Sequence, residues 1–294
     1  MKEIPNSIFD TKLISVNTYS IELNRPYLVK GLLLAKQVSI FAGPSNLGKS
    51  AITACLASHI VLGRNFGEMK VRQSAVLYVA AEDPLGIADR AYPFMQQPDS
   101  ETAPFNILGR PIDLSNRSEM DLFQKSAKEY LESSGYENLL IVFDTLNLCI
   151  GDGDENSARD MGKVIGNAQK LAHETGAHVM IIHHTGTSGS SRPRGSSALT
   201  ANVDTLLTLH RADTSQPNGT VFIGQEKQRG IPKGDAIAFK IKSFHVGFDS
   251  DNDPVSVPMA EPFKPQTALA VVPLNKTKRR TDTLVTCSPK TPPE

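Results

Sequence analysis

What this 294-residue sequence lacks narrows it first. It carries no net charge, with 31 Lys plus Arg set against 31 Asp plus Glu. No global positive field announces a nucleic-acid partner, so any such contact must come from local patches. Cysteine is scarce: Cys55, Cys149 and Cys287 lie far apart with no C-x-x-C pair, which argues against a disulfide framework or a zinc knuckle. No run of 18 apolar residues occurs, and the first 23 residues hold no apolar core behind a basic stretch. Neither a membrane span nor a signal peptide is expected. A reducing cytoplasm is the simplest setting, and no internal repeat is visible.

What is present organises into three parts. Residues 1–30 are polar and mixed, with Arg25-Pro26 as a break, and read as an N-terminal arm. Residues 31–262 form the core. There, short and nearly continuous apolar runs at 38–42, 75–81, 139–143 and 179–182 alternate with helix-period segments, the pattern of βαβ units around a parallel sheet covered on both faces. Ser118 with Asp121, and Ser157 with Asp160, offer helix starts, while Gly135 and Gly176 offer stops. Beyond residue 204 the period becomes two. Ile237, Phe239 and Ile241 face one way and Lys240 and Lys242 the other, which predicts antiparallel strands and a hairpin at the sheet's edge. Residues 263–294 are rich in Pro, Thr and Lys and read as a disordered tail. The fold class expected is α/β.

One motif carries most of the chemistry. Gly43-Pro44-Ser45-Asn46-Leu47-Gly48-Lys49-Ser50 matches G-x-x-x-x-G-K-[ST] and runs through Ala51 into a helix expected over Lys49–Leu62. Glycines let the main chain approach a phosphate chain, and the helix N-terminus adds partial positive charge. In that motif Lys49 reaches the β- and γ-phosphates of ATP, and the Ser50 hydroxyl ligates Mg²⁺. Asp144 ends the apolar strand 139–143, where a carboxylate that holds the hydrated magnesium belongs. Glu82 ends the run 75–81 at the ligand-facing edge of an open α/β sheet, a place from which it can orient and deprotonate water. The competing reading is that Glu82 and Asp83 cap the helix that Pro84 begins.

The order of the P-loop, Val79-Ala80-Ala81-Glu82-Asp83-Pro84, Asp144-Thr145-Leu146, His183-His184-Thr185-Gly186 and Arg194-Gly195-Ser196-Ser197-Ala198-Leu199 resembles the plasmid RepA-type hexameric helicases and their phage relatives. DnaB-type replicative helicases and RecA are more distant kin, and the likeness spans residues 27–248. It implies a RecA-like ATPase core in which Glu82 is the catalytic glutamate, Asp144 the Walker B aspartate and His184 a γ-phosphate sensor. The alternative for His183 and His184 is polar termination of a buried strand; on period two they face opposite ways, which makes them poor joint zinc ligands. Lys227-Gln228-Arg229-Gly230 resembles the K-Q-R-x-G element of DnaB-type helicases, which implies that Lys227 and Arg229 enter a neighbouring subunit's ATP site as a finger in trans. Otherwise they are solvated turn charges. RepA proteins carry their finger arginine shortly after the Arg-Gly-Ser-Ser stretch, where this chain has Asp204. The duty then falls to Arg229, with Arg194 and Arg211 as other donors.

The stretch 185–197 is rich in Ser, Thr and Gly and holds Arg192 and Arg194 but no aromatic residue. The likeness makes it a DNA-contacting pore loop; composition by itself makes it a mobile surface loop. The acidic loop 151–156 would repel phosphates and lacks EF-hand spacing. The expected protein is an ATP-hydrolysing hexameric ring that acts on single-stranded DNA as a replicative helicase, with an initiator or primase supplied in trans. The alternatives are an ATP-dependent remodeller or loader, and a nucleotide-responsive scaffold.

Overall fold

The structure is a computed structural model that describes residues 7–8, 11–185, 197–212 and 219–264. Two short antiparallel pairs come first, β1 (Ser7–Ile8) with β2 (Thr11–Lys12), and β3 (Tyr27–Val29) with β4 (Leu33–Leu34). The remaining strands are β5 (Val38–Gly43), β6 (Ala75–Ala80), β7 (Phe105–Leu108), β8 (Leu139–Asp144), β9 (His178–His184), β10 (Thr205–Arg211), β11 (Thr220–Gln228), β12 (Ile237–Phe248) and β13 (Pro254–Phe263). They join one nine-stranded sheet of order β13-β12-β11-β10-β5-β9-β8-β6-β7. The six strands from β10 to β7 are parallel, and β11, β12 and β13 add on antiparallel at one side.

Continuous apolar runs become parallel strands here because both sheet faces are covered. Helices α1 (Lys49–Leu62) and α2 (Pro84–Ala91) lie over one face, and α3 (Arg117–Ser134), α4 (Ala158–Thr175) and α5 (Ser197–Asn202) over the other. α1 is apolar nearly all round and nearly all buried, as a helix between two layers must be. α4 carries a stripe instead, burying Met161, Val164, Ile165, Ala168 and Leu171. Ser157 caps α4 as expected, accepting from the Asp160 amide at 3.2 Å. The start of α3 differs from expectation. Asn116, not Ser118, is the cap, because its carboxamide oxygen reaches the amides of Ser118 (3.0 Å) and Glu119 (3.2 Å) and places Ser118 inside the first turn.

The antiparallel side ends in a long ribbon. β12 pairs with β11 only over Ile237–Lys240 but with β13 as far as Phe248, so the pair runs on past the sheet. Pro254, Pro258 and Pro262 recur four apart on β13, hence on one side of its backbone. Proline has no N–H to give, so these positions fall on the side away from β12, an edge with no paired strand among the described residues, where three donors are missing. Strand β13 ends at Phe263, and residues 265–294 of the expected tail lie outside the described residues.

Candidate active site

The C-terminal ends of β5, β6, β8 and β9 lie side by side, and the loops that follow them gather the chemistry at one edge of the sheet. After β5 the chain turns through Asn46 (φ 59°) and Gly48 (φ 93°) straight into α1. Gly48 is the N-cap and supplies no side chain. The first helical bond is from the Ile52 amide to Gly48 O, 2.9 Å, so the amides before it have no partner within the helix and face the loop. At Gly43 a Cβ would fall 2.8 Å from the Leu209 Cβ of β10, so this strand end packs against its neighbour only as glycine.

Lys49 is buried with its ammonium among acceptors. Its Nζ donates to Gly43 O (2.9 Å), Pro44 O (2.8 Å) and His184 Nδ1 (3.0 Å). Burial pulls its pKa down from 10.5 to about 8, and the carboxylates of Asp144 and Glu82 pull the other way. His184 ends β9, and its Nδ1 also meets Ser45 Oγ at 3.1 Å. With Nδ1 accepting from Lys49, the neutral ring carries its proton on Nε2. One strand-end imidazole therefore touches both the loop and its lysine.

Asp144 is buried at the end of β8. Its Oδ2 accepts from Ser50 Oγ (3.2 Å) and from Tyr78 OH (2.7 Å). Burial pushes its carboxyl above the usual range, and the two hydrogen bonds oppose that. Glu82 follows β6 and lines the same cavity of about 730 Å³ as Lys49, Ser50, Asp144 and His184. Asp83 does the capping that was the competing role: its carboxylate accepts from the Gly86 amide (2.9 Å) and pairs with Arg90 (3.2 Å). Glu82 is thus left on the cavity.

The residues present fit a nucleoside triphosphate and a hard divalent cation. The loop closes around the Lys49 ammonium through the Gly43 and Pro44 carbonyls, and Ser50 with Asp144 offers an all-oxygen pair of the kind that Mg²⁺ takes alongside phosphates. Ser50 and Asp144 would hold the ion, which would supply positive charge to offset the negative charge of a triphosphate there.

Other predicted residues stand elsewhere. Because β11 runs antiparallel to β10, Lys227 and Arg229 lie at the opposite edge of the sheet. Lys227 Nζ donates to the carbonyls of Thr200 (3.2 Å) and Ala201 (2.6 Å) at the end of α5. Arg229 pairs with Asp204 at 3.6 Å and remains largely exposed, so the aspartate that the likeness to RepA proteins sets at the finger position holds the arginine expected in its place. Arg211, at the other end of β10, lines the cavity of its own chain and is therefore a group in cis. Arg192 and Arg194 lie outside the described residues. Sequence reasoning missed Tyr78 and Arg90. Tyr78 looked like one more apolar position of a strand, and Arg90 reaches the cavity only because α2 folds back beside the P-loop helix.

With this geometry in view, comparisons with known proteins place the chain. Residues 20–190 match the model of the AAA_25 family, AAA domain, and the chain belongs to that family. The fold is shared with an ATPase domain solved on its own, at 12% identity and a TM-score of 0.53, over 69% of this chain and 81% of that one. It is shared also with a DnaB-like replicative helicase solved with attention to its interactions with primase, at 13% identity and a TM-score of 0.54, over 70% of this chain. The match covers 55% of that helicase. The protein has a RecA-like α/β fold. Among the described residues no helix is long and apolar enough to cross a membrane.

Proposed function

We propose that this protein hydrolyses ATP with Mg²⁺ as a ring-forming motor on single-stranded DNA, a replicative helicase of plasmid or phage type. The observation that carries the ATPase reading is the convergence of Lys49, Ser50, Asp144, His184 and Glu82 on one cavity at the C-terminal sheet edge. In that site the loop amides and Lys49 bind and orient the phosphate tail. Glu82, freed from capping by Asp83, takes a proton from the attacking water. His184 bonds Lys49 and Ser45, so a change at the phosphate end reaches β9 and the segment after it.

The motor reading rests on the fold shared with the DnaB-like helicase and on the position of Arg229. Exposed at the far edge of the sheet, Arg229 is available to a second copy rather than to its own cavity. The test is ATPase rate per subunit against protein concentration, with and without single-stranded DNA, followed by strand displacement on a forked duplex. A rate that climbs with assembly and with DNA, and that Glu82→Gln abolishes while nucleotide binding survives, supports the motor. A flat rate indifferent to DNA overturns it.

A further inference from the structure

Tyr78 has no part in the site as the sequence defines it, yet among the described residues its hydroxyl makes the shortest hydrogen bond to the Asp144 side chain. It lies in the middle of β6, fully buried, and its ring stacks on Phe105 of β7 at 6.4 Å between centroids. In the parallel pairing of β6 with β8, Tyr78 stands opposite Val142 and Ala80 opposite Asp144, so Tyr78 reaches the carboxylate diagonally from one pleat below. Both donors on Asp144, the Tyr78 hydroxyl at 2.7 Å and the Ser50 hydroxyl at 3.2 Å, meet the same oxygen, Oδ2.

Two donors on one oxygen fix the rotation of a carboxylate. Ser50 cannot do this alone in a working site, because its hydroxyl is one of the two groups offered to the metal. The phenol has no such second duty. It is buried in the core that α1 and α2 cover, and a phenylalanine would fill the same volume without the bond. A buried tyrosine hydroxyl must find a partner, but nothing requires that partner to be the one carboxylate at the metal position.

We propose that Tyr78 is a positioning residue for the metal: its hydrogen bond to Oδ2 fixes the rotation of the Asp144 carboxylate that would hold, with Ser50, the divalent ion accompanying the nucleotide. This rests on the ATPase reading and adds to it a residue from a strand otherwise devoted to the core. Groups that orient a metal ligand from behind it are worth about 10- to 100-fold in metal affinity.

The test uses Tyr78→Phe in the full chain, with binding read directly rather than through turnover. A fluorescent ATP analogue is titrated at a series of Mg²⁺ concentrations, and Mn²⁺ uptake by the protein–nucleotide complex is followed by electron paramagnetic resonance. The expected result is a rise of about tenfold or more in the Mg²⁺ and Mn²⁺ needed for half-saturation, with thermal stability close to the parent and analogue affinity restored by excess metal. In an Asp144→Asn background the same substitution should change metal dependence little, since the two act as one unit. Unchanged metal dependence in Tyr78→Phe, with or without a loss of stability, overturns the proposal and makes the bond a packing detail. If the parent chain itself binds no analogue with metal in excess, it is the ATPase reading that fails, and the two failures are distinguished by that first titration. Should Tyr78→Phe not fold, Tyr78→Met offers a second core-filling variant without the bond, and a parent-like metal requirement in it likewise overturns the proposal.

Discussion

Lys49 should take up a proton when a nucleotide binds, and the amount is set by how the free site treats its ammonium. Burial brings the Lys49 pKa to about 8. At pH 7 the free protein is then about nine-tenths protonated there, at pH 8 about half, and at pH 9 about one-tenth. A triphosphate adds several negative charges beside Nζ, and an opposite charge in contact favours the charged form. Binding should therefore return the group toward its ordinary value of 10.5. The expected uptake is about 0.1 proton at pH 7, about 0.5 at pH 8 and about 0.9 at pH 9. Phosphate itself contributes little at the two higher values, since its second ionisation is complete well below them, near pH 6. Calorimetric titration in buffers of different ionisation enthalpy measures the number directly, as the slope of observed heat against buffer heat. Lys49→Arg, which keeps its charge across the whole range, should bring the slope close to zero. A parent slope of zero at both pH 8 and pH 9, or a release of protons there, would refute the claim that the ammonium is held desolvated before the ligand arrives. Stability follows from the same shift. A lysine whose folded pKa is lowered burdens the fold in full below about pH 8 and progressively less as pH rises from there toward 10.5.

Two further outcomes test the scaffold under the site. Gly43→Ala sets a methyl 2.8 Å from the Leu209 Cβ and should cost about 1 to 3 kcal/mol by overpacking; a thermal melt checks it, and Leu209→Gly, which removes that Cβ, should cost less in the Gly43→Ala chain than in the parent if that contact is the cause. Replacing Pro254, Pro258 and Pro262 together by Thr restores three donors on the outer edge of β13 and should produce concentration-dependent aggregation visible by light scattering, whereas a triple variant as well behaved as the parent would show that the prolines do not guard the edge.

The parts of this site that were readable from the sequence are those made by neighbours along the chain. The P-loop is eight consecutive residues between a strand and a helix, and Asp144 and Glu82 declare themselves by ending apolar runs at what must be the ligand edge of a parallel sheet. The division of labour between Glu82 and Asp83 was not readable. Either could cap α2, and only the geometry of the Gly86 amide and Arg90 assigns that role to Asp83. Tyr78 was hidden for a different reason. A tyrosine in the run 75–81 satisfies every rule for a buried strand, and its partner, 66 positions away, follows from β6 lying beside β8. The start of α3 shows the local limit: Asn116 and Ser118 are both good caps, and two residues decide between them only once the chain's entry into the helix is known.

The sheet also limits what one copy of the chain can do. The Arg229 amide bonds to Asp204 O just before β10 begins, while Arg211, at the far end of that strand, lines the cavity. Seven residues of strand separate the two levels, roughly 23 Å at about 3.3 Å per residue, farther than an arginine side chain extends. Arg229 therefore has no route to the phosphates of its own chain without breaking the β10–β11 pairing that holds Thr205 against Gln228. Arg211 and Arg90 are the arginines a single copy brings to its own cavity among the described residues. The need for a second copy in turnover thus reduces to one comparison: Arg229→Ala should leave nucleotide binding by dilute protein intact and lower the rate only where the chain associates, while Arg211→Ala should act at every concentration.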